Sequence, residues 1–191
     1  MDKDAGFRFD GGSTWLNLLA TCGQSFGARP IERLSSPEAA GRWLTLIGYP
    51  PRDAVTSADL DQLRQLREAL RDVAMAAVAG RDPAPAARAH VHAVASAPPD
   101  LGPADSSARS FPVGTVLSVI AIQALVTLQG PDRMLLKECA ESDCRWVFLD
   151  TSHRRHWCPS PACASRGRVR AHRARRGSSA ADAHAPEPTE L

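Results

Sequence analysis

Four of the five cysteines in this chain, Cys139, Cys144, Cys158 and Cys163, fall into two pairs, with four residues inside each pair and thirteen between the pairs. No other feature constrains the local fold as strongly. Zinc prefers tetrahedral coordination by thiolate or imidazole, and two short loops that each offer two sulfurs meet that preference. Four thiolates fill the tetrahedron and leave no position for water or substrate, so the pattern predicts one structural zinc ion rather than zinc hydrolysis. His153 and His156 lie between the pairs and are alternative ligands that the complete cysteine set does not need. The competing readings are two disulfides, which a reducing compartment disfavours, and a redox pair, which would have two residues between its cysteines inside a βαβ unit. Cys22 stands far from the group and reads as a small buried hydrophobe. About 30 residues cannot bury enough surface to fold alone, so the metal is expected to fold residues 139–163, which without it should be disordered.

At 191 residues, the chain has room for one sizeable core plus this small module. Hydrophobic residues make up 43% and charged residues 23%, which excludes wholesale disorder. The amino terminus lacks the basic and apolar regions of a secretory signal, and a cytoplasmic location is expected. The longest apolar stretch, Val113 to Leu128, is shorter than the roughly 20 residues of a bilayer span and is interrupted by polar residues, so it reads as a buried helix and no membrane partner is expected.

Periodicity gives a mainly α fold, with a helical domain over residues 1–131. The segment Phe7 to Cys22 combines Gly11-Gly12 turn chemistry with Trp15, Leu16, Leu18 and Leu19, and is either a short strand or a helix. Ser36-Pro37-Glu38 supplies a cap, a first-turn proline and an acid, which predicts a helix over 37–47. Leucines at 60, 63, 66 and 70, followed by Val73 and Ala77, predict a long amphipathic helix from Ser57 to Gly80. Residues 84–96 read as another helix, 97–110 as a polar connection, and Pro112 to Gln129 as the helix that closes the core. Gly130-Pro131 marks a boundary. Residues 132–176 then form the zinc-stapled module, with a short β-strand at Trp146–Leu149, cysteine knuckles and a basic helix. The tail, 177–191, has too little apolar surface to order itself and is expected to be disordered.

Charge is distributed unevenly. Residues 145–176 hold nine arginines against Asp150 alone, whereas the chain as a whole is only +2. Beyond Gly167 the sequence favours helix, and Arg166, Arg170 and Arg173 share one face by their four- and three-residue spacing, flanked by Arg168, Arg175 and Arg176. Arg154 and Arg155, with Arg145, widen the patch from the loop between the cysteine pairs. A planar guanidinium can bridge phosphate oxygens or the acceptors on a guanine edge, so DNA is the expected partner. A solvated helix, or a patch for RNA or an acidic protein, is the alternative.

Cys139-Ala-Glu-Ser-Asp-Cys144-Arg-Trp-Val-Phe-Leu-Asp150-Thr-Ser152, followed by Arg154-Arg155-His156-Trp157-Cys158, resembles the CGNR zinc finger of bacterial proteins. Phe9-Asp10-Gly11-Gly12, the Trp15 to Leu19 run, and Ser36-Pro37-Glu38 leading to Trp43-Leu44 resemble the ABATE domain that usually precedes that finger. The resemblance implies a stress-induced transcription regulator whose zinc ligands are Cys139, Cys144, Cys158 and Cys163, with Trp146, Phe148, Asp150 and Ser152 holding the loop. The tetrad that names the finger appears here as Cys163-Ala164-Ser165-Arg166. If its glycine position required a positive φ, Ala164 would strain it.

These readings converge on a zinc-binding, DNA-binding regulator, with an unidentified effector and a homodimer as further expectations. The alternative function is a zinc-stabilised protein-interaction or RNA-binding module. No enzyme is expected. His90 and His92 are two apart on a predicted helix and diverge, and no nucleophile, acid–base pair or phosphate loop stands out.

Overall fold

The computed structural model describes residues 6–97 and 109–182, with side chains through residue 173. The amino-terminal part is mostly helical: α1 (Thr14–Leu19), a two-residue antiparallel pair β1 (Cys22–Gly23) and β2 (Ile31–Glu32), α2 (Pro37–Leu46), α3 (Ser57–Ala79), α4 (Pro85–Ala95) and α5 (Val113–Gln129). A 3-10 turn, Pro131–Leu135, leads to the hairpin strands β3 (Leu136–Glu138) and β4 (Val147–Leu149), and α6 (Pro161–Asp182) follows.

Local chemistry explains the elements the sequence predicts. In α2, the Ser36 hydroxyl accepts from the Ala39 N–H at 3.2 Å, with Pro37 in the first turn. Thr56 and Asp59 form a reciprocal capping box at the start of α3, and Gly80, at φ 64, ends it in the left-handed conformation. The segment left open between strand and helix is helical: Trp15, Leu16, Leu18 and Leu19 are all buried, which α1 achieves by packing on α3 and α5. Helix α5 is buried along most of its length, as its apolar sequence predicts. The connection read over 97–110 falls almost wholly outside the described residues.

One core runs through both parts of the chain. Trp15, Trp43, Leu63, Leu66, Leu70 and Ile120 are fully buried, and the same cluster continues into Trp146, Val147, Phe148 and all four cysteines of the two pairs. Buried Arg67 anchors α3 to the β1–β2 region, donating to both Glu32 carboxylate oxygens at 2.7 and 2.6 Å and to the Thr21 hydroxyl at 3.1 Å.

Two features depart from the sequence reading. The basic helix starts at Pro161 rather than beyond Gly167, so Cys163 lies inside its first turn. It also continues to Asp182, so residues 177–182 of the tail expected to be disordered are helical. Residues 183–191 lie outside the described residues.

Candidate metal centre and arginine surface

The hairpin and the start of α6 bring the two cysteine pairs together. Cys139 follows β3, and its N–H donates to the Trp146 carbonyl at 2.9 Å, while the Cys144 N–H donates to the Glu141 carbonyl at 2.9 Å to close the first knuckle. Arg145 then turns the chain at φ 46. The second pair is held against the first by the Ala140 N–H, which donates to the His156 carbonyl at 2.9 Å, and the turn into α6 by the Cys163 N–H, which donates to the Ser160 carbonyl at 3.2 Å.

All four sulfurs lie within 4.8 Å of one another, and all four residues are buried. Thiolates at about 2.3 Å from a tetrahedral zinc stand roughly 3.8 Å apart, within that bound. The four cysteines are free thiols, so the disulfide reading does not describe this structure. As thiolates they are mutually unfavourable neighbours. Burial, then the proximity of Cys158 and Cys139, pushes Cys163 up to about 12; Cys144 is pushed up chiefly by its hydrogen bonds with Cys139 and Cys158; and Cys158 is drawn down by hydrogen bonds from Cys139 and Cys144. A dication among the sulfurs relieves this crowding, because it stabilises every thiolate at once. The donor set and its spacing therefore fit one structural zinc ion. His153 and His156 are exposed and are not part of the sulfur cluster.

Two guanidiniums reach the sulfurs: Arg8 Nη1 lies 3.6 Å from Cys158 Sγ, and Arg166 Nη2 lies 3.4 Å from Cys163 Sγ. Such cations offset the negative charge of a four-thiolate centre. The arginine of the Cys163-Ala164-Ser165-Arg166 tetrad thus faces the metal centre. Ala164 lies inside α6 and is not among the residues with positive φ, so the backbone there does not demand glycine and the conditional strain does not arise.

The loop between the pairs is built on buried Asp150. Its carboxylate accepts from the Ser152 hydroxyl at 2.6 Å, the Ser152 N–H at 3.1 Å and the Arg155 N–H at 2.9 Å, with Lys137 Nζ at 3.6 Å. These donors, the Ser152 hydroxyl first, lower its pKa to about 2. Trp146, itself buried, donates from Nε1 to the Leu16 carbonyl at 2.9 Å, and Arg8 stacks over its ring at 4.3 Å.

The predicted arginine patch divides in two. Arg166 and Arg170 are committed inside the molecule: Arg170 Nη1 stands 2.8 Å and Arg166 Nε 3.7 Å from Glu141 Oε1. Arg170 also pairs with Asp143 at 2.9 Å and contacts the Ser142 hydroxyl. The Glu141 carboxylate is fully buried; these contacts neutralise its charge without hydrogen-bond geometry. Arg145 pairs with Glu138 at 2.6 Å and stacks on Phe26. Arg154, Arg155, Arg168 and Arg173 are exposed, and their guanidiniums have no partner among the described residues. The side chains of Arg175 and Arg176 lie outside the described residues.

Sequence reasoning missed Arg8, Glu141 and Asp143 as parts of this assembly. An acid within each half of the first knuckle, facing a run of arginines on a following helix, is the signal that was present. No helix among the described residues is long and apolar enough to cross a membrane.

Comparison with protein families agrees with the resemblance read from the residues. The ABATE family, described as "Putative stress-induced transcription regulator", matches residues 12–131, more than half of the chain, and the CGNR zinc finger matches residues 135–176. No curated protein matches the chain.

Proposed function

The chain belongs to the ABATE family, described as "Putative stress-induced transcription regulator", and carries a CGNR zinc finger, and from that premise we propose that it binds duplex DNA through a zinc-organised carboxyl-terminal module. Cys139, Cys144, Cys158 and Cys163 hold the zinc ion, whose role is to fix the hairpin against α6. The observation that carries the reading is the set of four exposed arginines at 154, 155, 168 and 173, without partners among the described residues and held on a braced loop and a helix. Asp150 fixes the backbone beneath Arg155, and Glu141 fixes the helix that carries Arg168 and Arg173. A framework that pairs Arg145, Arg166 and Arg170 internally and leaves Arg154, Arg155, Arg168 and Arg173 without a partner among the described residues supports an anionic partner.

The roles within the predicted patch separate accordingly. Arg168 and Arg173 contact phosphate, whereas Arg166 and Arg170 position the helix. The test is the salt dependence of binding to mixed-sequence duplex DNA. Arg168→Ala with Arg173→Ala should lower affinity and flatten the slope of log K against log salt by about 1.8, since each phosphate contact contributes about 0.9. A double variant with unchanged affinity and slope would remove these residues from the interface. Binding lost equally for RNA and DNA competitors would favour a general nucleic-acid module.

A further inference from the structure

A second feature lies among the helices of the amino-terminal part, with Arg133 of the 3-10 turn at its edge. A cavity of about 200 Å³ opens between α3, α4 and α5, floored by Val73, Val91, Leu125 and Leu128. Cations dominate its rim: Arg81, Arg88 and Arg133, against one acid, Asp82. Arg81 is occupied, pairing with Asp72 at 3.1 Å and donating to the Asp82 carbonyl at 3.0 Å. Asp72 also accepts from the Ala84 N–H at 2.7 Å, which braces the turn that forms this edge. Arg88, from α4, and Arg133, from the 3-10 turn, both line it, and neither guanidinium has a partner among the described residues.

We propose that this cavity binds a small organic carboxylate with an apolar body. The apolar floor excludes an inorganic anion as the matching ligand, because burying that surface contributes only when the ligand covers it with carbon. Two free guanidinium forks supply the geometry a carboxylate accepts. The volume is below the roughly 300–1,000 Å³ of drug-sized sites, which limits the ligand to a single ring or a short chain. The site does not depend on DNA recognition.

Isothermal titration calorimetry of the full, zinc-loaded chain tests it, with benzoate and hexanoate as probes and benzamide and inorganic phosphate as controls. The expected result is saturable binding of at least one carboxylate, at least tenfold tighter than either control, and weakened at least tenfold in Arg88→Gln with Arg133→Gln. Both substitutions are on exposed side chains, and a circular dichroism spectrum matching the parent shows that the fold is kept. Absence of binding by both carboxylates, equal binding of benzamide or phosphate, or binding that survives the double substitution would overturn the proposal.

Discussion

Gly167 decides how α6 meets the second cysteine pair. A Cβ at this position would clash with Trp157 Nε1 and stand 2.6 Å from Cε2, so the indole packs on the bare backbone. Alanine is worth about 1 kcal/mol more than glycine in an exposed helix interior, but here Gly167→Ala should lose about 1–3 kcal/mol through overpacking. Thermal melting together with a red shift of the Trp157 emission checks this; a stabilised variant would mean that the ring moves aside freely. Asp150 makes a second residue-scale prediction. Its folded pKa of about 2 lies below the ordinary value of about 3.9, so its contribution is present above about pH 4 and is lost as pH falls towards 2. Asp150→Asn should leave the Ser152 and Arg155 N–H groups with a weaker acceptor and speed zinc release to a chelator at pH 7, measured with a colorimetric zinc indicator. The four-cysteine cluster and the Asp150 loop were legible because spacing and motif are local. The assignment of Arg166 and Arg170 was not, because their partners Glu141 and Asp143 lie 25–29 residues away in sequence and helical periodicity says nothing about what a face meets.

Among the elements, α6 depends on its contact with the first knuckle. Glu141→Ala removes the buried anion that Arg166 and Arg170 share as an ion-pair partner. Breaking a fully buried pair costs about 3–5 kcal/mol, and since both arginines are part-exposed a loss of about 1–3 kcal/mol is expected. Hydrogen exchange should accelerate in the first turns of α6 before the α3 amides respond; unchanged protection would show that the cysteines alone hold the helix. Helices α2, α3 and α5 were readable from caps and apolar period, since each signal is contained in its own segment. The short strands β1, β2 and β3 were not, because two- and three-residue pairings are set by the partner rather than by local preference.

For the whole molecule, the two family segments meet at closely fitted backbone. Gly12, at φ 89, would place a Cβ 2.9 Å from Leu149, and Gly11 would place one 2.8 Å from Trp146, so the pair read as turn chemistry also lets the hairpin approach α1. With Trp146 and Phe148 inside the shared core, we propose that the boundary near residue 131 separates two sequence segments rather than two independent folding units. Chelating the metal should therefore lower the melting temperature followed at α3, not only at the module, and Trp146→Ala should lose about 3–5 kcal/mol, seen in denaturant unfolding. Two separate transitions, with the helical one indifferent to metal, would contradict this coupling.

Whether zinc organises a DNA-binding surface is decided by fluorescence anisotropy on labelled mixed-sequence duplex DNA, with zinc-loaded and chelator-treated chain across a salt series. The zinc-loaded protein should bind at low salt, weaken linearly in log salt, and lose most of its affinity when the metal is removed. No binding by the zinc-loaded protein at low salt, or equal binding by the zinc-free chain, would contradict it.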